Sequence, residues 1–157
     1  QKEPHKVPVR YLQCFKGIKT LTAMTLIVEV MDFKRFERAP SFMGFTGMTS
    51  SERSSGPKVR RFSITKAGNS HVRRVLVEAA WHYRHQSVIA AALRGRREGC
   101  PSAVLQIARK ADSRLSKRYF RLVSRGKPSQ VAVVAVAREL AGFVWAMAKH
   151  FPENMQN

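Results

Sequence analysis

A serine hydroxyl and a cluster of cations occur together in one short stretch of this chain. Ser55 is followed by Gly56, and from Arg53 to Arg74 there are seven Lys or Arg residues and no Asp or Glu. A serine hydroxyl attacks a phosphate only if it loses its proton and the charge that develops on the phosphate oxygens is offset. Cations in the same segment can offset that charge. The pattern therefore predicts anion binding, with a candidate nucleophile inside the binding segment.

The candidate site extends beyond this serine. Ser54 adjoins Ser55, and the local sequence does not distinguish the two hydroxyls. A segment rich in Ser and Gly is also commonly only a surface loop, so a non-catalytic loop remains the alternative at this point. His71 is a candidate phosphate contact or general acid, with a plain surface histidine as the alternative. We expect nucleic-acid contacts from Arg53, Gly56, Lys58, Arg60, Arg61, Lys66, Asn69, His71, Arg73, Arg74, Lys16 and Lys19.

The charge of the chain points to a polyanionic partner. The net charge is +19 over 157 residues, and hydrophobic residues make up 44%, enough for the core of one domain. A domain this basic typically binds nucleic acid, because neutralising phosphates releases condensed counterions. A solubilising surface charge is the alternative, but the basic residues here are clustered. The basic stretches lack the apolar face of an interfacial helix, which disfavours an anionic membrane.

Potential metal ligands are sparse. The ten Asp and Glu residues are scattered, whereas two-metal phosphoryl transfer needs several carboxylates, so we expect no metal and no cofactor in this chain. His82 and His85 are three apart, but no third ligand accompanies them. Cys14 and Cys100 have neither metal-ligand spacing nor a disulfide framework, which favours a reducing, intracellular compartment. The polar first ten residues contain no signal peptide.

The hydrophobic periodicity predicts an all-α domain without strands. Residues 1–10 are expected to form a disordered or linker lead-in, and residues 151–157 a tail. The domain between them, residues 11–150, divides into three parts. These are a helix-hairpin-helix-like element (11–46), a basic, mobile serine loop (47–68) and a helical core (69–150).

The first part reads as two short helices about a turn at Gly17. Such a turn directs backbone N–H groups at a phosphate, as a helix N-terminus does. Lys19 stands where a second glycine is usual, so an ordinary turn between helices is the alternative. Apolar residues of the second helix recur at spacings of 3, 4 and 3, which predicts burial on more than one side. They are Leu21, Met24, Val28 and Met31 on one face, with Ala23, Ile27 and Val30 on a neighbouring face.

Four further helices follow from start and stop signals. Proline in the first turn and asparagine before it are typical of helix N-termini, and glycine of their ends. The expected helices are 40–45, 70–92 capped by Asn69, 101–124 ended by Gly126, and 128–150, with a basic break at 94–99. Charges within the last helix favour a buried core helix over a membrane span. Phe42, Phe45 and Met48 are candidates for an assembly surface.

Three long segments resemble one family. GMTSSERSSGPKVRRFSITKAGNSHVRRVLVEAAW is similar to the C-terminal signature of the bacterial "one-ten / one-sixteen / nine-oh-two" insertion-sequence transposases, the DEDD group related to the pilin-gene DNA invertase. GIKTLTAMTLIVEVMDFKRF resembles an earlier element of that family, and KRYFRLVSRGKPSQVAVVAVARELAGFVWAM its closing helices. The resemblance covers roughly residues 12–149.

The resemblance implies a function. Family members combine an N-terminal ribonuclease-H-like domain, whose DEDD acids bind divalent metal such as Mg²⁺, with a C-terminal domain that carries a serine in a Ser-Gly pair. The composite site cuts and rejoins DNA with the serine covalently linked to a strand, and some relatives are guided by a structured RNA. Carried over, the nucleophile is Ser55, with Ser54 as the fallback.

The same resemblance sets the remaining expectations. The chain is expected to act as a homo-oligomer in the bacterial cytoplasm, associated with the nucleoid, and to be inactive without the acidic domain. The main alternative is a non-catalytic helical nucleic-acid-binding module. A DNA-repair-type hairpin protein is a further alternative, supported only by the imperfect hairpin at Gly17.

Overall fold

The last helix, α7 (Ser129–Ala148), is the core helix of the fold. The computed structural model describes residues 3–55, 58–85 and 89–153, with the backbone alone for residues 50–63. Nine α7 residues are buried, and α3 (Ala39–Phe45), α4 (Ser70–Ala80) and α6 (Ser102–Ser124) all pack on this helix. By length and composition α7 could cross a membrane. Its packing among three other helices instead accounts for its apolar composition.

The remaining helices are short. They are α1 (Lys6–Leu12), α2 (Thr20–Val30) and α5 (Ala91–Arg97), with 3₁₀ turns at Phe33–Arg35 and Trp81–Arg84. The predicted all-α class is confirmed for this helical body. Prolines at the N-caps of α6 and α7, and a positive φ of 84° at Gly126 after α6, explain why those two boundaries could be read from the sequence.

Two helix boundaries differ from the prediction. The helix expected over 70–92 ends at Ala80 and tightens into a 3₁₀ turn, which places Tyr83 fully in the core beside α6. The basic break expected at 94–99 is mostly helix α5, anchored by Leu93 and Arg97, which lie one turn apart and are both buried. Tertiary packing overrides local composition in both places.

The chain is also helical earlier than expected. α1 begins at Lys6, inside the segment for which a loose lead-in was predicted, and it buries Pro8 and Leu12. Arg10 Nη2 donates a hydrogen bond to the carbonyl oxygen of Glu98 at 2.7 Å, which ties α1 to the end of α5. This first helix is thus part of the domain.

The serine segment forms an antiparallel hairpin in place of the predicted loop. Strand β1 (Ser50–Ser55) pairs with β2 (Lys58–Ile64). The sequence SSERSS shows no apolar alternation, so periodicity gave no sign of a strand. Pairing in such a segment rests on backbone hydrogen bonds, which every non-proline residue can make.

One of the two apolar faces of α2 is buried as predicted, and the other is exposed. The helix buries Ala23, Leu26, Ile27 and Val30, whereas Leu21 is 80%, Val28 60% and Met31 78% exposed. Met31 also adopts φ 62°, ψ −72°, and the N–H of Asp32 bonds to the oxygen of Val30 at 2.8 Å. That geometry is a strained γ-turn, which bulky residues rarely adopt.

The residues suggested for assembly are internal instead. Phe42 and Met48 are fully buried, and Phe45 is partly buried against the core. Phe42 packs edge-on against the ring of Phe36, whose carbonyl oxygen accepts a hydrogen bond from Trp145 Nε1 at 2.8 Å. These aromatic residues fix α3 on α7 and are not a free surface.

Candidate nucleic-acid interface

The hairpin register sets the candidate serines opposite basic and apolar positions. Ser55 is paired with Lys58, Ser54 with Val59, and Arg53 with Arg60. The two serines are the last residues of β1. Gly56, a predicted contact, lies outside the described residues. The register, which also pairs Arg61, therefore brings four predicted cations and both candidate nucleophiles into one short segment of paired backbone.

The base of the hairpin is fixed to the helical body by backbone hydrogen bonds. Thr65 N donates to Thr49 O at 3.0 Å, and Lys66 N donates to Gly47 O at 3.0 Å. Asn69 N donates to the oxygen of Phe45 at 2.8 Å. Each bond joins the segment before the hairpin to the segment after it, so the hairpin leaves the body from a closed base.

Two glycines permit this close approach. Gly47 has φ 71°, and a Cβ there would lie 2.7 Å from Arg73 Nη1. A Cβ on Gly68 would lie 2.6 Å from the backbone nitrogen of Gly47. Backbone atoms cannot rotate out of the way as a side chain can, so the junction admits only glycine at position 68 without moving the hairpin base.

Arg73 stabilises the same junction. Its Nη1 donates to the carbonyl oxygens of Thr46, at 3.2 Å, and Lys66, at 3.3 Å. Lys66 is itself exposed and has φ 54°. Among the predicted contacts, Arg73 is therefore engaged in holding the hairpin base, while Lys66 presents an exposed side chain beside it.

A carboxylate from α2 holds the start of α4. Asn69 caps the helix, since its Oδ1 accepts from Val72 N at 2.9 Å, and its Nδ2 donates to Glu29 Oε2 at 2.8 Å. His71 Nδ1 donates to the other oxygen, Glu29 Oε1, at 2.8 Å. The hydrogen bonds from Asn69 and then His71 lower the pKa of Glu29. This partner could not be predicted from local sequence, because Glu29 lies 40 residues away from Asn69.

This bridge makes a pH-dependent contribution to stability. A carboxyl whose pKa is lowered in the folded state stabilises the fold above its unfolded pKa, near 4.5, and loses that contribution as the pH falls through the lowered value. We expect Glu29→Gln to lower the melting temperature at neutral pH and to approach the wild-type value in acid. Thermal unfolding of both proteins over a pH series measures this. A difference that stays constant into acid would contradict it.

The predicted contacts form two groups, not one. Lys16 and Lys19 lie before the start of α2. Asn69 and His71 contact Glu29 near the other end of that helix, about 15 Å away for a helix of this length. Lys16 Nζ donates to the oxygen of His85 at 3.3 Å. Burial, followed by the charge of Lys19, lowers the pKa of His82 in this group. The phosphate contact predicted at the Gly17 turn therefore lies apart from the serine hairpin.

A groove of about 920 Å³ borders the base of the hairpin. Ile64 and Lys66 form one wall, and apolar residues of α7 such as Val134 form the floor. Arg114 and Arg118 of α6 line it too, and both form ion pairs with Glu139, at 2.8 and 3.4 Å. The groove therefore offers apolar surface with basic residues at its edge, next to Lys66.

The described carboxylates do not fit a metal ion. Among the described side chains, those of residues 3–49, 64–85 and 89–153, no three His, Cys, Asp or Glu come together. Glu29 bonds to Asn69 and His71, and Asp112 is buried in an ion pair with Arg97 at 2.7 Å. These two acids thus act as partners for nearby side chains.

Comparison with known proteins places the chain in a family. Residues 9–94 match the model of the transposase IS116/IS110/IS902 family. A protein of Sinorhizobium fredii named as a transposase, y4qE, is 47% identical over 88% of this chain and 35% of its own length. The transposase for insertion sequence element IS1533 of Leptospira borgpetersenii is 34% identical over 81% of this chain and 37% of its own. This chain spans about a third of each relative. It belongs to the IS116/IS110/IS902 transposase family.

Proposed function

We propose that this chain is the DNA-binding, serine-bearing domain of a transposase that cuts and rejoins DNA, with Ser55 as the nucleophile and Ser54 as the fallback. The serine Oγ forms a bond to phosphorus as one backbone P–O bond of the DNA breaks. The hydroxyl proton passes to a base of the assembled site, and the leaving oxygen gains a proton. Reversal by a second DNA hydroxyl rejoins the strand and releases the serine.

The observation that carries this proposal is the anchored hairpin. Its backbone pairing sets Ser55 opposite Lys58 and Arg53 opposite Arg60, and its base is bonded to the body on both sides. A nucleophile needs a fixed position relative to the charges that offset the phosphate. A hairpin with a closed base meets that requirement better than a loop with high backbone entropy.

The rest of the reaction is assigned to parts outside this chain. The divalent metal is assigned to an acidic, ribonuclease-H-like domain, since Glu29 and Asp112 of this chain are engaged by other side chains. A structured RNA is proposed as the guide to target DNA. In this proposal the chain without its acidic domain binds DNA and does not recombine it.

DNA binding by the chain itself tests the first half of the proposal. We expect the affinity for a generic duplex oligonucleotide to fall steeply with salt, because each neutralised phosphate contributes about −0.9 to the slope of log K against log salt. The double variant Arg60→Gln, Arg61→Gln should have a slope that is less negative by about 2. Fluorescence anisotropy at several salt concentrations measures it.

A matched pair of substitutions controls for net charge. Arg121→Gln with Arg125→Gln removes the same charge from the end of α6, where both side chains are exposed. We expect this variant to keep the wild-type slope. Equal losses in both variants would indicate a diffuse charge effect and would remove the hairpin from the proposed interface.

A further inference from the structure

A cavity of about 600 Å³, here called the α6 cavity, is lined by Ile89 and by one side of α6. The helix contributes two rows of side chains, each with one residue every four positions. The inner row is Asp112, Ser116 and Phe120, and the outer row is Arg109, Ser113 and Lys117. One water molecule occupies about 30 Å³ in the liquid, so this cavity holds much more than a single bridging water. Its volume is that of a small-ligand site.

The inner row contains polar atoms that lack partners. Asp112 and Ser116 lie one turn apart and are only 7% and 8% exposed. Asp112 Oδ2 is ion-paired with Arg97, but Asp112 Oδ1 and Ser116 Oγ are buried without a hydrogen-bond partner among the described residues. Buried polar atoms are almost always bonded. An open carboxylate oxygen and an open hydroxyl at one cavity therefore indicate a ligand that bonds to both.

The outer row makes the mouth of the cavity positive. Arg109 and Lys117 are both exposed, and within the described part of the chain neither side chain has an ion-pair partner. A phosphate deep in the cavity would be repelled by Asp112, whereas one at the mouth would be attracted by these two cations. The charges thus favour a neutral hydrogen-bond donor inside and anionic groups outside.

A nucleotide turned out of a nucleic-acid strand has this distribution of groups. Its base is neutral and flat, and a phosphate lies on each side of it along the strand. Adenine and cytosine each present an amino donor beside a ring nitrogen that accepts. Those two groups match Asp112 Oδ1 and the hydroxyl of Ser116. Phe120, which is 39% exposed at the end of the inner row, offers a ring on which a base can stack.

We propose that the α6 cavity binds one extruded nucleotide with an amino-bearing base, adenine or cytosine. Asp112 accepts a hydrogen bond from the amino group, and Ser116 donates one to the neighbouring ring nitrogen. Arg109 and Lys117 bind the phosphates on either side. Such a pocket reads a base by its hydrogen-bonding edge, as enzymes that extrude bases do.

The α6 cavity is separate from the groove beside the hairpin. Arg114 lines the groove and follows Arg109 by five residues, which is about 140° around an α-helix. The inference rests on the proposed binding of nucleic acid, but not on the role of Ser55 or of the hairpin cations. An α6 cavity that fails its tests would therefore leave the hairpin proposal in place.

Free nucleotides test the cavity apart from DNA binding by the hairpin. We expect adenosine and cytidine monophosphate each to bind at least about tenfold more tightly than the analogue that lacks only the amino group, because that analogue leaves the carboxylate oxygen unpaired. Isothermal titration calorimetry with the whole chain measures these affinities. Equal affinity within both pairs would overturn the proposal, since the cavity would then hold water only and the nucleotides would bind through their phosphates alone.

A blocking substitution assigns the binding to this cavity. Ser113→Trp adds a large ring at the mouth from an exposed position, so the fold should persist by circular dichroism while the preference for the amino-bearing nucleotides is lost. Ser102→Trp is the matched control, because it adds the same ring at an exposed position of α6 outside the cavity. A preference that survives in Ser113→Trp, or that is lost equally in both variants, would contradict the assignment.

Bulged duplexes identify the strand that supplies the nucleotide. A duplex with one unpaired adenine should bind more tightly than the fully paired duplex, because an unpaired base costs less to extrude. The comparison is made with DNA and with RNA, and the form that gains more from the bulge is the source. No gain in either form, or a gain that Ser113→Trp retains, would refute the extruded nucleotide.

Discussion

Asp112→Ala is expected to lower the free energy of unfolding by about 3–5 kcal/mol, because it leaves a buried guanidinium without its counter-ion. Arg97 Nη2 lies 2.7 Å from Asp112 Oδ2, and the two side chains are only 8% and 9% exposed. Arg97 Nε also donates to the oxygen of Cys14 at 3.0 Å. The ion pair therefore connects α5, α6 and the end of α1 inside the core.

The buried environment is the reason for the size of this effect. Burial raises the pKa of Asp112, and the adjacent Arg97 opposes that rise. The fully buried Tyr83 lies near the same pair, and burial raises the pKa of its hydroxyl. Removal of the carboxylate leaves the buried charge of Arg97 without its partner.

Urea unfolding of three variants checks this prediction. Glu78→Ala removes an acid from the exposed pair with Arg74, whose atoms lie 3.7 Å apart, and should cost less than about 1 kcal/mol. Arg97→Met with Asp112→Leu replaces both charges by apolar side chains and should recover most of the loss. A loss in Asp112→Ala no larger than in Glu78→Ala would contradict the role given to the pair.

Ser55→Ala is expected to abolish DNA rejoining by the full-length transposase, with a loss of several orders of magnitude in rate. The substitution removes the only atom that forms the proposed bond to phosphorus. It leaves the strand pairing with Lys58 intact, because that pairing uses the backbone. DNA affinity should therefore remain close to that of the wild type, and the loss should be confined to the chemical step.

Ser54→Ala is the matched control for this prediction. It removes an identical hydroxyl from the neighbouring residue of the same strand. Under the proposal it keeps most of the rejoining activity. A loss confined to Ser54→Ala would keep the mechanism and transfer the role of nucleophile to the fallback residue.

The sequence predicted long helices better than short or paired segments. α6 and α7 begin after prolines, and a glycine follows α6, so local signals define their bounds. Periodicity also found the apolar positions of α2, but it could not tell which apolar face meets the core. The sequence did not predict the hairpin, because SSERSS carries no alternation of apolar and polar residues. The strand depends on pairing with residues 58–64.

The sequence identified candidate site residues but not the contacts among them. The sequence identified the Ser-Gly pair and the capping role of Asn69 from residue types and order. It did not predict that Arg73 would hold the hairpin base or that Glu29 would bond to His71. Those partners are distant in the chain. Asp112 did offer a usable signal. It is the only acid from Arg109 to Arg125, a range with seven basic residues, and a lone carboxylate on an apolar stripe requires a buried partner.

The most direct test of the proposed serine chemistry is the detection of a covalent protein–DNA adduct. The full-length transposase, with its acidic domain, would be incubated with Mg²⁺ and its element DNA and then denatured. The proposal predicts an adduct that survives denaturation in the wild type and in Ser54→Ala, and that is absent in Ser55→Ala. DNA that is cut and rejoined without any adduct would contradict it, because water or a strand end would then be the nucleophile and this chain a module that binds and positions DNA.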